Sequence, residues 1–236
     1  MSRSRTLSAL NIVGEILITA GVVVLLYLAW QLWVNNAVVS SAQHAVVDQN
    51  SQNWGATRPV STLPDTWPAP ALAKVRTGAV IGNLYVPRLG AESTRAVGES
   101  VTPTQTLNHG YFGHYSTSQM PGEAGNFALA VHRSGWGTGF KQAQLLRTGD
   151  HIYLETKAGY YRYTVRNIEY VKATSVDVLN QVPGKTTHGT ESLLTITTCS
   201  PQEGNGERLV TYAVLDSYRT RDAGPYEELA PLIAKA

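Results

Sequence analysis

Cys199 is the only cysteine among 236 residues. It ends an apolar, β-branched run, LLTITT, and a Ser-Pro break follows it. A thiol attacks as its thiolate, which a nearby cation favours and apolar burial disfavours. Arg208 offers such a cation nine residues on. The intervening SPQEGNGE is a Gly-containing turn long enough to fold two antiparallel strands together, which sets Cys199 and Arg208 face to face. His132 ends another strand-like run, FALAVH, and is followed by the Gly-rich RSGWG. An imidazole at a strand rim beside a loop suits proton transfer. The same place suits a structural histidine, and the count alone equally allows Cys199 to be a small buried hydrophobe.

The remaining histidines carry less. His109 and His114 lie five apart in HGYFGH, but no carboxylate or cysteine pattern accompanies them, so no metal site is expected. His44 lies near the apolar segment, His151 opens a strand, and His188 sits in the loop PGKTTHGT.

The compartment follows from one segment. Residues 12–34 are mostly apolar with one charge, Glu15, and are long enough to span a bilayer as a helix. Tyr27, Trp30 and Trp33 cluster at the far end, where amphipathic rings prefer the interface. Arg3 and Arg5 precede the segment, and the next Lys or Arg is Arg58. That asymmetry places residues 1–11 in the cytoplasm and everything after the span outside. A cleaved signal peptide is the rival reading, with Ser40-Ser41-Ala42 as its small-residue site, but its apolar part is usually shorter. In an exported domain, a lone cysteine is an intermolecular link, a reactive thiol or an inert one.

The elements that must position these groups read as β. Residues 35–77 form a stalk or linker: a polar, helix-compatible stretch over 37–52, then a segment over 53–72 rich in Pro and Trp. From 78 to 222 short strands alternate with turns: 78–90, 127–132, 151–156, 160–171, the run ending at Cys199, and 208–216. FKQAQLL is the one short helical signal. This pattern predicts a mostly β domain, a closed or nearly closed barrel of about eight strands, with short helices, one transmembrane helix before it, and a tail over 223–236. A hydrophobic content of 43% and a charged content of 15% support a real core. The net charge of +2, with no Lys/Arg run, gives no support to nucleic-acid binding.

The chain resembles the sortases, membrane-anchored cysteine transpeptidases of Gram-positive bacteria, over roughly 78–217. LYVPRLG resembles the opening strand motif. GHY followed by MPGEAGN resembles the approach to the catalytic histidine, and AVHR the histidine motif. TITTC resembles TLxTC with Ile196 for Leu, and ERLV the arginine motif. The short loop from Cys to Arg and the HY and MPG segments are most like class E, with class D next. Val131 departs from the family's usual Gly before the histidine, so substrate fit there is in question.

The resemblance implies Cys199 as nucleophile, His132 as proton carrier and Arg208 as the group that holds substrate carbonyls or the oxyanion. Thr198, next to the nucleophile, is a candidate for positioning the substrate, and the resemblance puts Tyr111 or Tyr115 in the loop that sets the second position of the signal, with plain packing of each ring on the barrel as the equal alternative. The implied substrates are surface proteins with a C-terminal sorting signal, LAxTG or LPxTG in type, cut between Thr and Gly and joined to a peptidoglycan precursor amine. No cofactor is expected. The alternatives are a membrane-tethered β-barrel binding module with an inert thiol, a different peptidoglycan cysteine transpeptidase, and a degenerate sortase that binds signals without turnover.

Overall fold

The computed structural model describes residues 2–30, 34–55, 64–137 and 139–233, with side chains from Asn11 onward. Trp33, the side chains of Arg3 and Arg5, and the last three residues of the tail lie outside that description. Helix α1 (Ser2–Ala29) contains an apolar stretch, Asn11–Ala29, long enough to cross a membrane and not buried against any other part of the chain. Helix α2 (Asn35–Asn53) follows. Eight strands come next: β1 (Val80–Tyr85), β2 (Arg95–Glu99), β3 (Phe112–His114), β4 (Gly125–Val131), β5 (His151–Glu155), β6 (Gly159–Lys172), β7 (Ser192–Ser200) and β8 (Glu207–Thr220). A short helix α3 (Ala230–Ile233) lies near the end.

The strands close into a barrel in the order β1-β2-β3-β4-β7-β8-β6-β5, the expected fold. Only β2–β3 and β4–β7 are parallel pairs. A parallel pair needs a long return connection, and the one between β4 and β7 carries β5 and β6. The FKQAQLL signal reduces to a single 3-10 turn, Ala143–Leu145.

Alternation decides what faces where. Phe127, Leu129 and Val131 of β4, Leu194 and Ile196 of β7, and Leu209 of β8 belong to one buried cluster inside the barrel. Full burial of such a side chain contributes about 1.5–3 kcal/mol. The intervening residues of the same strands therefore face outward, and that face carries the chemistry. Val131 points into the interior, so its departure from Gly adds nothing to the outer surface.

Residues 35–53 are not a free stalk. The helix expected over 37–52 is present, but it packs against β1 and β2. Val47 joins Tyr85, Tyr153, Tyr160, Tyr226 and Leu229 in a second buried cluster, so the tail also folds back onto the barrel. Beside that cluster lies a fully buried carboxylate, Glu155. Ser51 Oγ (2.6 Å) and Tyr85 OH (2.8 Å) donate to its Oε2, and Arg221 Nη2 (2.9 Å) to its Oε1. Ser51 thereby ties the end of α2 into the barrel wall.

Candidate active site

Three adjacent strands bring the predicted catalytic groups together. Cys199 and Arg208 are register partners across β7 and β8. Val131 and Thr198 are register partners across β4 and β7, so His132 leaves the end of β4 beside Cys199. The order across the sheet is His132, Cys199, Arg208, with the thiol in the middle. Neighbouring strands lie about 4.8 Å apart, so each flanking group stands one strand away from the thiol. Cys199 is free and half-buried.

His132 is held on two sides. Its Nε2 lies 3.0 Å from Asn108 Oδ1, and its ring stacks on Trp136 with centroids 6.4 Å apart and planes 26° from parallel. Partial burial holds its pKa below the ordinary 6.5, because the charged form loses water there. Arg133 turns the other way and is buried. Its Nη1 donates to the Cys199 carbonyl at 3.2 Å and its Nη2 to Gln144 Oε1 at 3.0 Å, tying the histidine loop to the nucleophile's backbone. Arg208 Nη1 donates to the carbonyls of Asn205 (2.9 Å) and Glu207 (2.8 Å) within its own turn. Asn108 carries no sequence motif and was invisible as a partner of His132. The AVHR motif placed Arg133 next to the histidine without giving its contact to Cys199.

The three residues expected beside the substrate separate. Tyr115 extends from β3 across β4, and its hydroxyl meets Thr197 Oγ1 at 3.1 Å, two residues before the thiol. The small outward residues Ala128 and Ala130 leave room for that crossing, so Tyr115 floors the face below Cys199. Tyr111 leans instead onto β2. A Cβ on Gly98 would lie 2.9 Å from Tyr111 Cδ2, and burial raises the Tyr111 pKa. Thr198 is buried on the inward-facing side of β7, and its hydroxyl donates to the Val131 carbonyl at 2.8 Å. Alternation puts it out of line with Cys199: it pins β7 to β4 rather than facing outward.

Two other arrangements invite a chemical reading. His114 Nδ1 lies 2.6 Å from Glu99 Oε2, and Ser118 Oγ lies 2.9 Å from His114 Nε2. Ser118 is buried and accepts the Ala128 N–H at 3.1 Å, so this group fastens the turn between β3 and β4 and presents no nucleophile to solvent. A cleft of 510 Å³ lies over β6 and β8, lined among others by Glu169, Val171, Asp177 and Tyr212. None of Cys199, His132 and Arg208 lines it. One of its lining residues, Val171, is the register partner of Arg208 on β6. Among the described residues, no group of three His, Cys, Asp or Glu side chains is placed to hold a metal ion.

The model of the Sortase domain matches residues 84–216. Sortase SrtE1 of Streptomyces coelicolor is 30% identical over 226 residues, covering 92% of this chain and 60% of that protein. The structure of the SrtA sortase from Actinomyces oris superposes with a TM-score of 0.66 at 32% identity, over 70% of this chain and 94% of that one. Sortase E1 from Streptomyces coelicolor, solved with a tripeptide in the active site, gives a TM-score of 0.59 at 28% identity, over 64% of this chain and 97% of that one. The class E resemblance fits these Streptomyces relatives. The domain match spans more than half of the chain and contains His132, Cys199 and Arg208, so the chain belongs to the sortase family of cysteine transpeptidases.

Proposed function

We propose that this protein is a membrane-anchored sortase that cuts a C-terminal sorting signal between Thr and Gly and transfers the new Thr carboxyl group to a cell-wall amine. The observation that carries this reading is the convergence of His132, Cys199 and Arg208 at the same height on one outward face of β4, β7 and β8. The tripeptide held in the active site of the Streptomyces relative agrees with a peptide substrate.

The residues account for each step. His132 takes the Cys199 thiol proton, and the resulting thiolate attacks the Thr carbonyl carbon, whose π electrons move onto oxygen. Arg208, always charged and rich in donors, stabilises that oxyanion or aligns the neighbouring carbonyls. The C–N bond then breaks, the Gly nitrogen takes a proton from His132, and a thioester remains on Cys199. The acceptor amine attacks the thioester and gives its proton back to His132, and the thiolate leaves. With Nε2–H donating to Asn108, Nδ1 is the nitrogen left for this exchange. Tyr115, on the floor below the thiol, contacts the signal on the way to Thr.

The apolar helix 11–29 fits a single-pass anchor, and the basic residues before it favour a cytoplasmic N-terminus with the barrel outside. Sorting substrates and the wall precursor are then on the same side as the thiol. The test is full-length protein in detergent micelles with fluorogenic peptides carrying LAxTG or LPxTG and an amine acceptor, beside Cys199→Ala. Cysteine-dependent transfer of the amine to Thr supports the reading, and the preferred peptide decides the signal. A folded protein that processes neither peptide returns the chain to the binding-module reading.

A further inference from the structure

We propose that α2, the helix between the apolar span and the barrel, is a positioning element of the active site: through Gln43, and through Arg95 with Ser40, it holds the two loops that set the place of His132. This rests on the reading of His132 as the proton carrier.

The two contacts that orient His132 come from segments outside the strands. Asn108 belongs to the turn at 107–110, and Trp136 to the loop that follows β4. Helix α2 grips both. In the turn, the buried Gln43 uses both ends of its amide. Its Nε2 donates to the His109 carbonyl at 2.6 Å, and its Oε1 accepts the Ala96 N–H of β2 at 3.2 Å. The turn next to Asn108 is thus tied to a strand through a side chain of α2.

The loop is gripped through a buried cation. Arg95 is completely buried, and its Nη2 donates to Ser40 Oγ of α2 at 3.1 Å and to the Gly137 carbonyl at 2.8 Å. Its Nη1 donates to the Thr94 carbonyl at 2.6 Å. Burial lowers the pKa of this guanidinium to about 10, with Glu92 opposing the shift. Burying a cation is unfavourable unless its donors are met; both terminal nitrogens of Arg95 are met, while its buried Nε has no partner among the described residues. The planar fork of Arg reaches the strand, the helix and the loop at once, which a Lys point charge does not. Asn36 Oδ1 adds a contact by accepting the Gly137 N–H at 3.4 Å.

Turn, loop and helix meet at Gly110, which has φ +79. A Cβ there would lie 2.9 Å from the Trp136 carbonyl oxygen, 3.0 Å from Val39 Cγ1 and 3.1 Å from Gln43 Cγ. The far end of α2 is locked by Val47 in the second cluster and by Ser51 on Glu155. The helix is therefore a fixed bearing, and the imidazole is placed against it.

The experiment uses the full chain in micelles. Gln43→Leu, Asn108→Ala and the double variant are compared with wild type and with Gln49→Ala, an exposed control on α2. Three quantities are read: cooperative melting, kcat and KM for the sorting peptide, and the pH dependence of Cys199 alkylation by iodoacetamide, which needs no substrate. The expected result for Gln43→Leu is a folded protein with kcat lowered about tenfold, KM within about twofold, and a displaced alkylation profile. Asn108→Ala should do the same, and the double variant should lose no more than either alone, because both act through one contact. Should Gln43→Leu fail to fold, Ser40→Ala combined with Asn36→Ala releases the other loop and should displace the alkylation profile in the same direction. Wild-type kcat and alkylation in a folded Gln43→Leu or Ser40→Ala/Asn36→Ala protein overturns the proposal, as do additive losses with Asn108→Ala. If wild type turns over no sorting peptide, the failure belongs to the proposed function, and the alkylation profile alone decides the role of α2.

Discussion

Cys199 and Arg208 are register partners on antiparallel strands, so both side chains leave the same face of the barrel at the same height. In the proposed reaction Arg208 stands on the side of the thiol away from His132, where its guanidinium would meet a peptide carbonyl. Replacing Arg208 by Ala should lower kcat about 10²–10³-fold, the usual cost of losing one oxyanion donor. Arg208→Lys should recover only part of it, because the ammonium keeps the charge and loses the fork. Steady-state kinetics on the sorting peptide reads both. An Arg208→Ala enzyme with unchanged kcat would remove Arg208 from the chemistry.

His132 should titrate below 6.5, since burial depresses its pKa. Proton NMR of the ring, assigned by the signal lost in His132→Gln, measures this directly. The linked effect on stability has a definite sign. The unfolded chain binds this proton more readily than the folded one, so the contribution is complete above the unfolded pKa and is lost as pH falls through the folded value. Wild type should therefore lose melting temperature more steeply than His132→Gln between about pH 7 and pH 5. Parallel melting curves would contradict a buried, neutral imidazole.

Tyr115→Phe removes one hydroxyl, the partner of Thr197 on the floor below the thiol. A neutral hydrogen bond is worth about 1 kcal/mol. The expected outcome is a rise in KM of about fivefold with kcat little changed. Tyr111→Phe should leave both constants near wild type, because that ring leans onto β2. The reverse ranking would move the substrate's path to the β2 side of the site.

Arg221→Ala should destabilise the protein by about 3–5 kcal/mol, because it strips the cation from a fully buried carboxylate. Denaturant unfolding measures the loss, and Glu155→Gln combined with Arg221→Ala should recover part of it. A loss under about 1 kcal/mol would mean that Ser51, Tyr85 and the Asn83 amide satisfy Glu155 without the cation.

The strands that hold Cys199, His132 and Arg208 were legible because their composition matches their burial. LLTITT, FALAVH and RLVTYAVLD are apolar, β-branched runs, and each is a barrel strand. Strands β2 and β3 were missed. RAVGE has a charge at each end, and FGH is three residues long with a central Gly; their pairing comes from neighbours and not from propensity. The docking of α2 left no apolar stripe to read. Its buried residues are Gln43, Val47 and Ser51, spaced by four. They form one helical face, but two of the three are polar and attach by hydrogen bonds, so hydrophobic periodicity sees only a solvated helix. Asn108 was invisible for a related reason: its value lies in a contact to a residue 24 positions away, which no local pattern encodes. Thr198 is next to the nucleophile in sequence, but strand alternation turns its side chain inward.

Intact-protein mass spectrometry of the full chain, after brief exposure to a sorting peptide without acceptor amine, looks for the thioester itself. The expected species is an adduct equal to the peptide acyl portion ending at Thr, carried on Cys199, released by hydroxylamine and absent from Cys199→Ala. An unmodified protein, or peptide cleavage that persists in Cys199→Ala, would contradict a thioester mechanism at this thiol.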